Sequence, residues 1–92
     1  MPINIYEWES RKPIVHLCDD EWVLIKQFEY FKEWVYSNRE KFTGIACNAD
    51  IGFCWNKDAK SGGPAFDIEF MKLLIELNVT VFISEYPGFT NE

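Results

Sequence analysis

The side chains in this 92-residue sequence that could do chemistry are one histidine, three cysteines and fifteen carboxylates. His16 stands two residues before Cys18, the spacing that turns two side chains to one face of a strand. A cysteine nucleophile needs a base within hydrogen-bond reach and a third group to orient that base. Neighbours at i and i+2 lie roughly 7 Å apart at Cα. The local sequence supplies no orienting group, so the pair reads as ordinary strand residues. Zinc would have to draw on His16, Cys18, Cys47 and Cys54, whose spacings form no chelating loop. Cysteines at strand positions pack as small hydrophobes instead. Ser61-Gly62-Gly63-Pro64 lacks the lysine and hydroxyl of a phosphate-binding loop. Asp19-Asp20-Glu21 and the pair Glu29/Glu33 are carboxylate clusters, but a glycosidase needs two carboxylates facing one cleft. The first cluster is placed to cap a helix and the second to lie on a solvated helix face. No catalytic residue, metal, cofactor or small-molecule substrate is therefore expected.

Aromatic residues set among acids stand out more. Trp22 is expected on the same side of a helix as Glu29 and Glu33, Trp8 sits between Glu7 and Glu9, and Asp58 lies in a polar loop. Aromatic anchors ringed by carboxylates suit docking on a basic protein surface; the competing use of Trp8 and Trp22 is to cap the edges of the core. The candidate partner-binding residues are thus Trp22, Glu29, Glu33, Asp58, Glu7, Trp8 and Glu9.

Charge points the same way. A net charge of −6 repels phosphate backbones, so nucleic acid is not an expected partner. The same charge speeds association with a basic protein, although it serves equally to keep a small protein soluble. No basic, apolar leader opens the sequence, and no apolar run has the length of a membrane span. An odd number of cysteines without CxxC spacing suits reduced thiols, and a cytoplasmic location is expected.

These residues must be held by one small domain, 1–92. A chain of this size buries only about 60–65% of its unfolded surface, and its apolar content of 48%, with eight Phe and four Trp, supplies the core. Ile3–Tyr6 and Pro13–Cys18 read as two short strands around a polar turn, the second at an edge because Pro13 cannot sit inside a sheet. Asp19-Asp20-Glu21 reads as a helix start, with the helix running to about Lys41. Its apolar stripe is Leu24, Phe28, Phe31 and Val35, widened by Val23, Tyr30 and Trp34. Residues 43–47 and 51–55 read as a hairpin turning at Asn48-Ala49-Asp50, followed by a polar, Gly-rich loop over 56–64. A second helix starts at an Asp67 cap, with Phe66 and Met71 as a hydrophobic staple. Apolar positions on two edges predict that this helix is largely buried, and Asn78 suits its left-handed end. Residues 79–86 form the clearest strand. The expected fold is α+β in two layers: a mostly antiparallel sheet of about five strands with two helices on one face, in the order β-β-α-β-β-α-β. An open edge at the last strand or at Pro13–Cys18 would offer a pairing site to another strand.

Residues 63–86, where a helix ending Leu73-Leu74-Ile75-Glu76-Leu77-Asn78 runs into an apolar strand ending at Tyr86, carry a resemblance. This segment resembles the C-terminal half of an uncharacterised bacterial domain family whose helix ends Leu-x-Glu-Leu-Gly; here Asn78 replaces the Gly, and the N-terminal half has no counterpart. Such domains look like immunity members of toxin–immunity loci, including those of contact-dependent inhibition. In size, acidity and terminal strand the chain also resembles barstar, without a shared motif. The resemblance implies a bacterial immunity protein that blocks the basic active site of a toxin domain, a nuclease by preference. The alternative is a phage-encoded anti-defence inhibitor of a host nucleic-acid-binding complex, which would use the same negative charge. A third reading, a small enzyme or metal protein built on His16 and the cysteines, is discriminated by Cys18→Ala and a metal assay.

Overall fold

In the computed structural model, residues 2–18, 20–54 and 63–86 are described. Strand β1 (Ile3–Glu7) turns into β2 (Pro13–Leu17), helix α1 (Leu24–Ser37) follows, then β3 (Cys47–Cys54), helix α2 (Ile68–Leu77) and β4 (Val79–Tyr86). One four-stranded sheet has the order β2-β1-β3-β4. The two pairs β1–β2 and β1–β3 are antiparallel, while β3 and β4 are parallel. The α+β class is as expected from sequence; the sheet is mixed and, among the described residues, has four strands, not five. No helix among the described residues is long and apolar enough to cross a membrane.

The missing strand is the expected hairpin. Asn48-Ala49-Asp50 has turn composition, yet it lies inside β3, with Ala49 fully buried between Ile5 and Val81. Its polar neighbours point to the other face and find partners there. Asn48 Nδ2 donates to the Tyr6 hydroxyl (3.3 Å), and Asp50 accepts from Ser84 Oγ (3.3 Å). The turn chemistry sits earlier, at Gly44, whose φ of +90° suits glycine. With β3 a single strand, the chain must cross over through α2 to reach β4, which makes that pair parallel.

Ile3, Ile5, Ala49 and Ile51 share one face of the sheet with Val79 and Val81, and both helices pack there. The expected stripe of α1 holds: Phe28, Phe31 and Val35 are buried and Leu24 is half-buried. Its ends differ from expectation. The helix begins only after Val23, without a side-chain cap, and the residue before that cap, Trp22, is bonded to β3 instead. The Cys54 N–H donates to the Trp22 carbonyl (3.1 Å), and the buried Gln27 amide donates to both the Glu21 and Gly52 carbonyls (2.6 Å each). At the other end, Arg39–Lys41 is a separate 3-10 turn.

Helix α2 starts as read from sequence. Asp67 caps it by accepting from the Phe70 N–H (2.8 Å), and Asn78 ends it at φ 62°. Phe66 packs on Phe28 and Phe70, while Met71, its expected staple partner, is exposed. The helix is not largely buried. Phe70, Leu73 and Leu74 face the sheet, but Ile68 and Ile75 lie on the opposite pole, with Ile75 79% exposed. A sheet covered on one face offers α2 only one surface to pack on, so its second apolar edge stays outside.

Two outcomes follow for stability. Replacing Gln27 by Leu strands the buried Gly52 carbonyl and the part-buried Glu21 carbonyl. It also removes the buried Gln27 Oε1, which has no hydrogen-bond partner among the described residues, so the net cost should be about 1 kcal/mol in urea unfolding. Lys32 Nζ bonds the Asp67 carboxylate (2.5 Å), which holds Asp67 below the usual carboxylate range and raises Lys32. A carboxyl with a depressed folded pKa stabilises fully above its unfolded value, about 4. That contribution is lost as pH falls through the depressed value. Asp67→Asn, which keeps a capping oxygen, should therefore lose stability at pH 7 and show a shallower fall between pH 4 and 2 than the unmodified chain. An unchanged acid limb would contradict this.

Candidate functional site

Residue 18 ends the first hairpin abruptly. Cys18 has φ 58°, a left-handed conformation that costs a non-glycine residue about 1–2 kcal/mol. The strand's alternation stops there, and the chain swings toward α1. Between the end of β2 and α1 lies a cleft of about 600 Å³. Its α1 wall is Tyr30, Glu33, Trp34 and Ser37, residues that helical spacing places on one side. Leu17 closes it from β2, and Cys18, Asp20 and Glu21 from the connection. Asn38 donates from Nδ2 to the Trp34 carbonyl (2.9 Å) at the far end. Trp34 is half-buried, edge-on to Phe42 with ring centroids 5.9 Å apart, while Tyr30 and Glu33 are exposed.

Three acidic residues and two aromatic ones thus share one concave surface, and among the described residues no lysine or arginine lines it. A guanidinium or ammonium group entering it would meet hydrogen-bond acceptors of opposite charge and π faces together.

Of the described residues expected from sequence to meet a partner, only Glu33 lines this cleft. Glu29 lies one turn earlier on the exposed side of α1. Trp22 does not share a helix face with them, because it precedes α1; it is half-buried and edge-on to Tyr86 at the end of β4 (5.9 Å). Glu7, Trp8 and Glu9 lie at the opposite end of the sheet, where Glu7 pairs with Cys47. There the Arg11 guanidinium sits 5.1 Å from the Trp8 ring centre, and Ser10 Oγ donates to Glu7 (2.7 Å). Trp8 is 48% exposed, so it has a cation of its own chain as neighbour and solvent on the remainder. Asp58 lies outside the described residues. Sequence reading assigned Tyr30 and Trp34 to the core stripe and missed Asp20 and Glu21 as site residues. The available signal was that Tyr30, Glu33 and Ser37 repeat at helical spacing on a flank of that stripe.

His16 and Cys18 do not share a face. His16 Nδ1 bonds Asn4 Oδ1 on the side of the sheet away from the helices, whereas Cys18 lines the cleft. Cys47 is buried, its thiol donates to the Ile45 carbonyl, and desolvation pushes its pKa up. Among the described residues, no three His, Cys, Asp or Glu side chains are grouped to hold a metal.

No family model matches this chain, and neither the curated proteins nor the solved structures contain a match to it.

The cleft's walls differ in what they carry. Trp34→Ala should cost about 2 kcal/mol through lost packing on Phe42, whereas Tyr30→Ala and Glu33→Gln should stay within about 0.5 kcal/mol of the unmodified chain. Thermal unfolding of the three variants distinguishes a structural wall residue from exposed ones.

Proposed function

We propose that this chain is an immunity protein, acting in the cytoplasm, that binds a cognate toxin domain and blocks its basic active site. The observation that carries the reading is the cleft beside α1, where Asp20, Glu21 and Glu33 surround Tyr30 and Trp34 on a chain of net charge −6. A nuclease domain fits best, because it must present cations to hold a phosphate backbone. One such lysine or arginine enters the cleft in place of its phosphate, its charge met by the carboxylates and its apolar stem by the two rings. Glu29 extends the negative face along α1, and long-range attraction speeds encounter. The chain works by binding and not by turnover, since inhibition requires only that the toxin's cations be occupied.

The test is calorimetric titration of the chain with the toxin domain encoded beside its gene. Glu33→Lys should weaken binding by about tenfold or more, equivalent to about 1.4 kcal/mol, and the association rate should fall as salt rises. Tyr30→Ala should raise the dissociation rate. Absence of binding to that toxin sinks the immunity reading. Tight, salt-sensitive binding to a host nucleic-acid-binding complex instead would transfer the same cleft to an anti-defence inhibitor.

A further inference from the structure

Strand β4 is the outer strand of the sheet, on the edge opposite β2 and its cleft. The Cys47 N–H donates to the Asn78 carbonyl (3.0 Å), and Cys47 pairs with Val79 in the parallel ladder. That phase directs the backbone groups of Thr80, Phe82 and Ser84 toward β3. It turns the N–H and C=O groups of Val79, Val81, Ile83 and Glu85 outward. Among the described residues, no strand pairs with that side.

Exposed sheet edges are usually kept from pairing by short length, proline, lysine or a bulge. The β2 edge has two of these devices: it is five residues long and begins at Pro13. Strand β4 has eight residues without proline, lysine or arginine, and Glu85 is its one charged side chain. Its ladder with β3 runs in unbroken register. Phe82 is 57% and Ile83 43% exposed.

We propose that β4 pairs with β4 of a second copy of this chain, antiparallel across a two-fold axis, joining two four-stranded sheets into one of eight strands. The sequence of β4 is complementary to itself in that arrangement. With Phe82 of one copy opposite Phe82 of the other, Val81 faces Ile83 and Val79 faces Glu85, all residues whose backbone groups point outward. Thr80 then faces Ser84. No like charges oppose each other, because Glu85 meets valine and not a second glutamate. The three acids of the cleft lie across each sheet at its far edge, so that cluster adds little repulsion at the joint, where Glu85 is the one charged side chain of β4. A two-fold contact closes on itself and leaves both clefts outermost.

The measurement is sedimentation equilibrium of the full chain from about 1 μM to about 1 mM, with amide hydrogen exchange at the upper concentration. The expected result is a mass rising to twice 10.9 kDa, with the Val81 and Ile83 amides protected. Ile83→Lys should return the chain to one copy and expose those amides while the far-ultraviolet circular dichroism stays unchanged. Should Ile83→Lys fail to fold, Phe82→Lys decides, since residue 82 lies on the face away from the core and two lysines would oppose each other at the axis. A single copy at every concentration overturns the proposal. So does open-ended assembly, or a dimer that survives both β4 variants and is broken instead by Ile75→Glu on the outer pole of α2.

Discussion

Phe70 fixes the two helices against each other, and much of the remaining structure follows from that contact. It is fully buried, and the rings of Phe28, Phe31, Tyr36 and Phe66 pack around it with centroids 5.6 to 6.1 Å away. Three of those rings come from α1 and the fourth from the residue leading into the cap of α2. Each aromatic pair contributes roughly 0.5–1.5 kcal/mol beyond the area it buries. The Lys32–Asp67 pair closes the same seam at its solvent side, where screening leaves it a minor partner. Because α1 turns Phe28, Phe31, Lys32 and Tyr36 toward α2 and the sheet, its other flank faces β2. Tyr30, Glu33 and Ser37 stay exposed on that flank, and the cleft is the space between it and the end of the strand.

The second constraint is the attachment of Trp22 to β3 directly and of Glu21 through Gln27. Gln27 reaches from α1 to the carbonyls of Glu21 and Gly52, while the Trp22 carbonyl takes the Cys54 N–H. These bonds delay the helix start to Leu24 and bring Glu21 to the mouth of the cleft. They also move Trp22 off the helix and against Tyr86, whose ring lies so close over Gly52 that a Cβ there would overlap it. The buried glutamine thus holds Glu21, and the Cys54 N–H holds Trp22 beside Tyr86.

The elements with strong local chemistry were legible from sequence. The α1 stripe, the Asp67 cap and the left-handed Asn78 each rest on residues within a turn of one another, so neighbours alone specify them. The errors arose where distant partners overrode composition. Asn48 and Asp50 look like turn residues until Tyr6 and Ser84 satisfy them inside a strand. The acids at 19–21 look like a helix cap until β3 claims the backbone that would begin the helix. Ile68 and Ile75 look like core until the sheet proves to have one covered face. Of the site residues read from sequence, Glu33 was found because it stands on a regular helix, and Trp22 was misplaced because its helix position was an extrapolation past the true start.

The sequence by itself determined the α+β class, the acidic character, the two amphipathic helices and the residues that terminate α2. Those properties are carried by spacing and by side-chain chemistry that acts over a few residues. Only the tertiary structure decided the strand count, the parallel β3–β4 pairing, and the grouping of Asp20, Glu21, Tyr30, Glu33 and Trp34. Each of those depends on which strand lies beside which and on the phase of its hydrogen bonds, and contacts between residues far apart in the chain leave no periodic trace in the sequence.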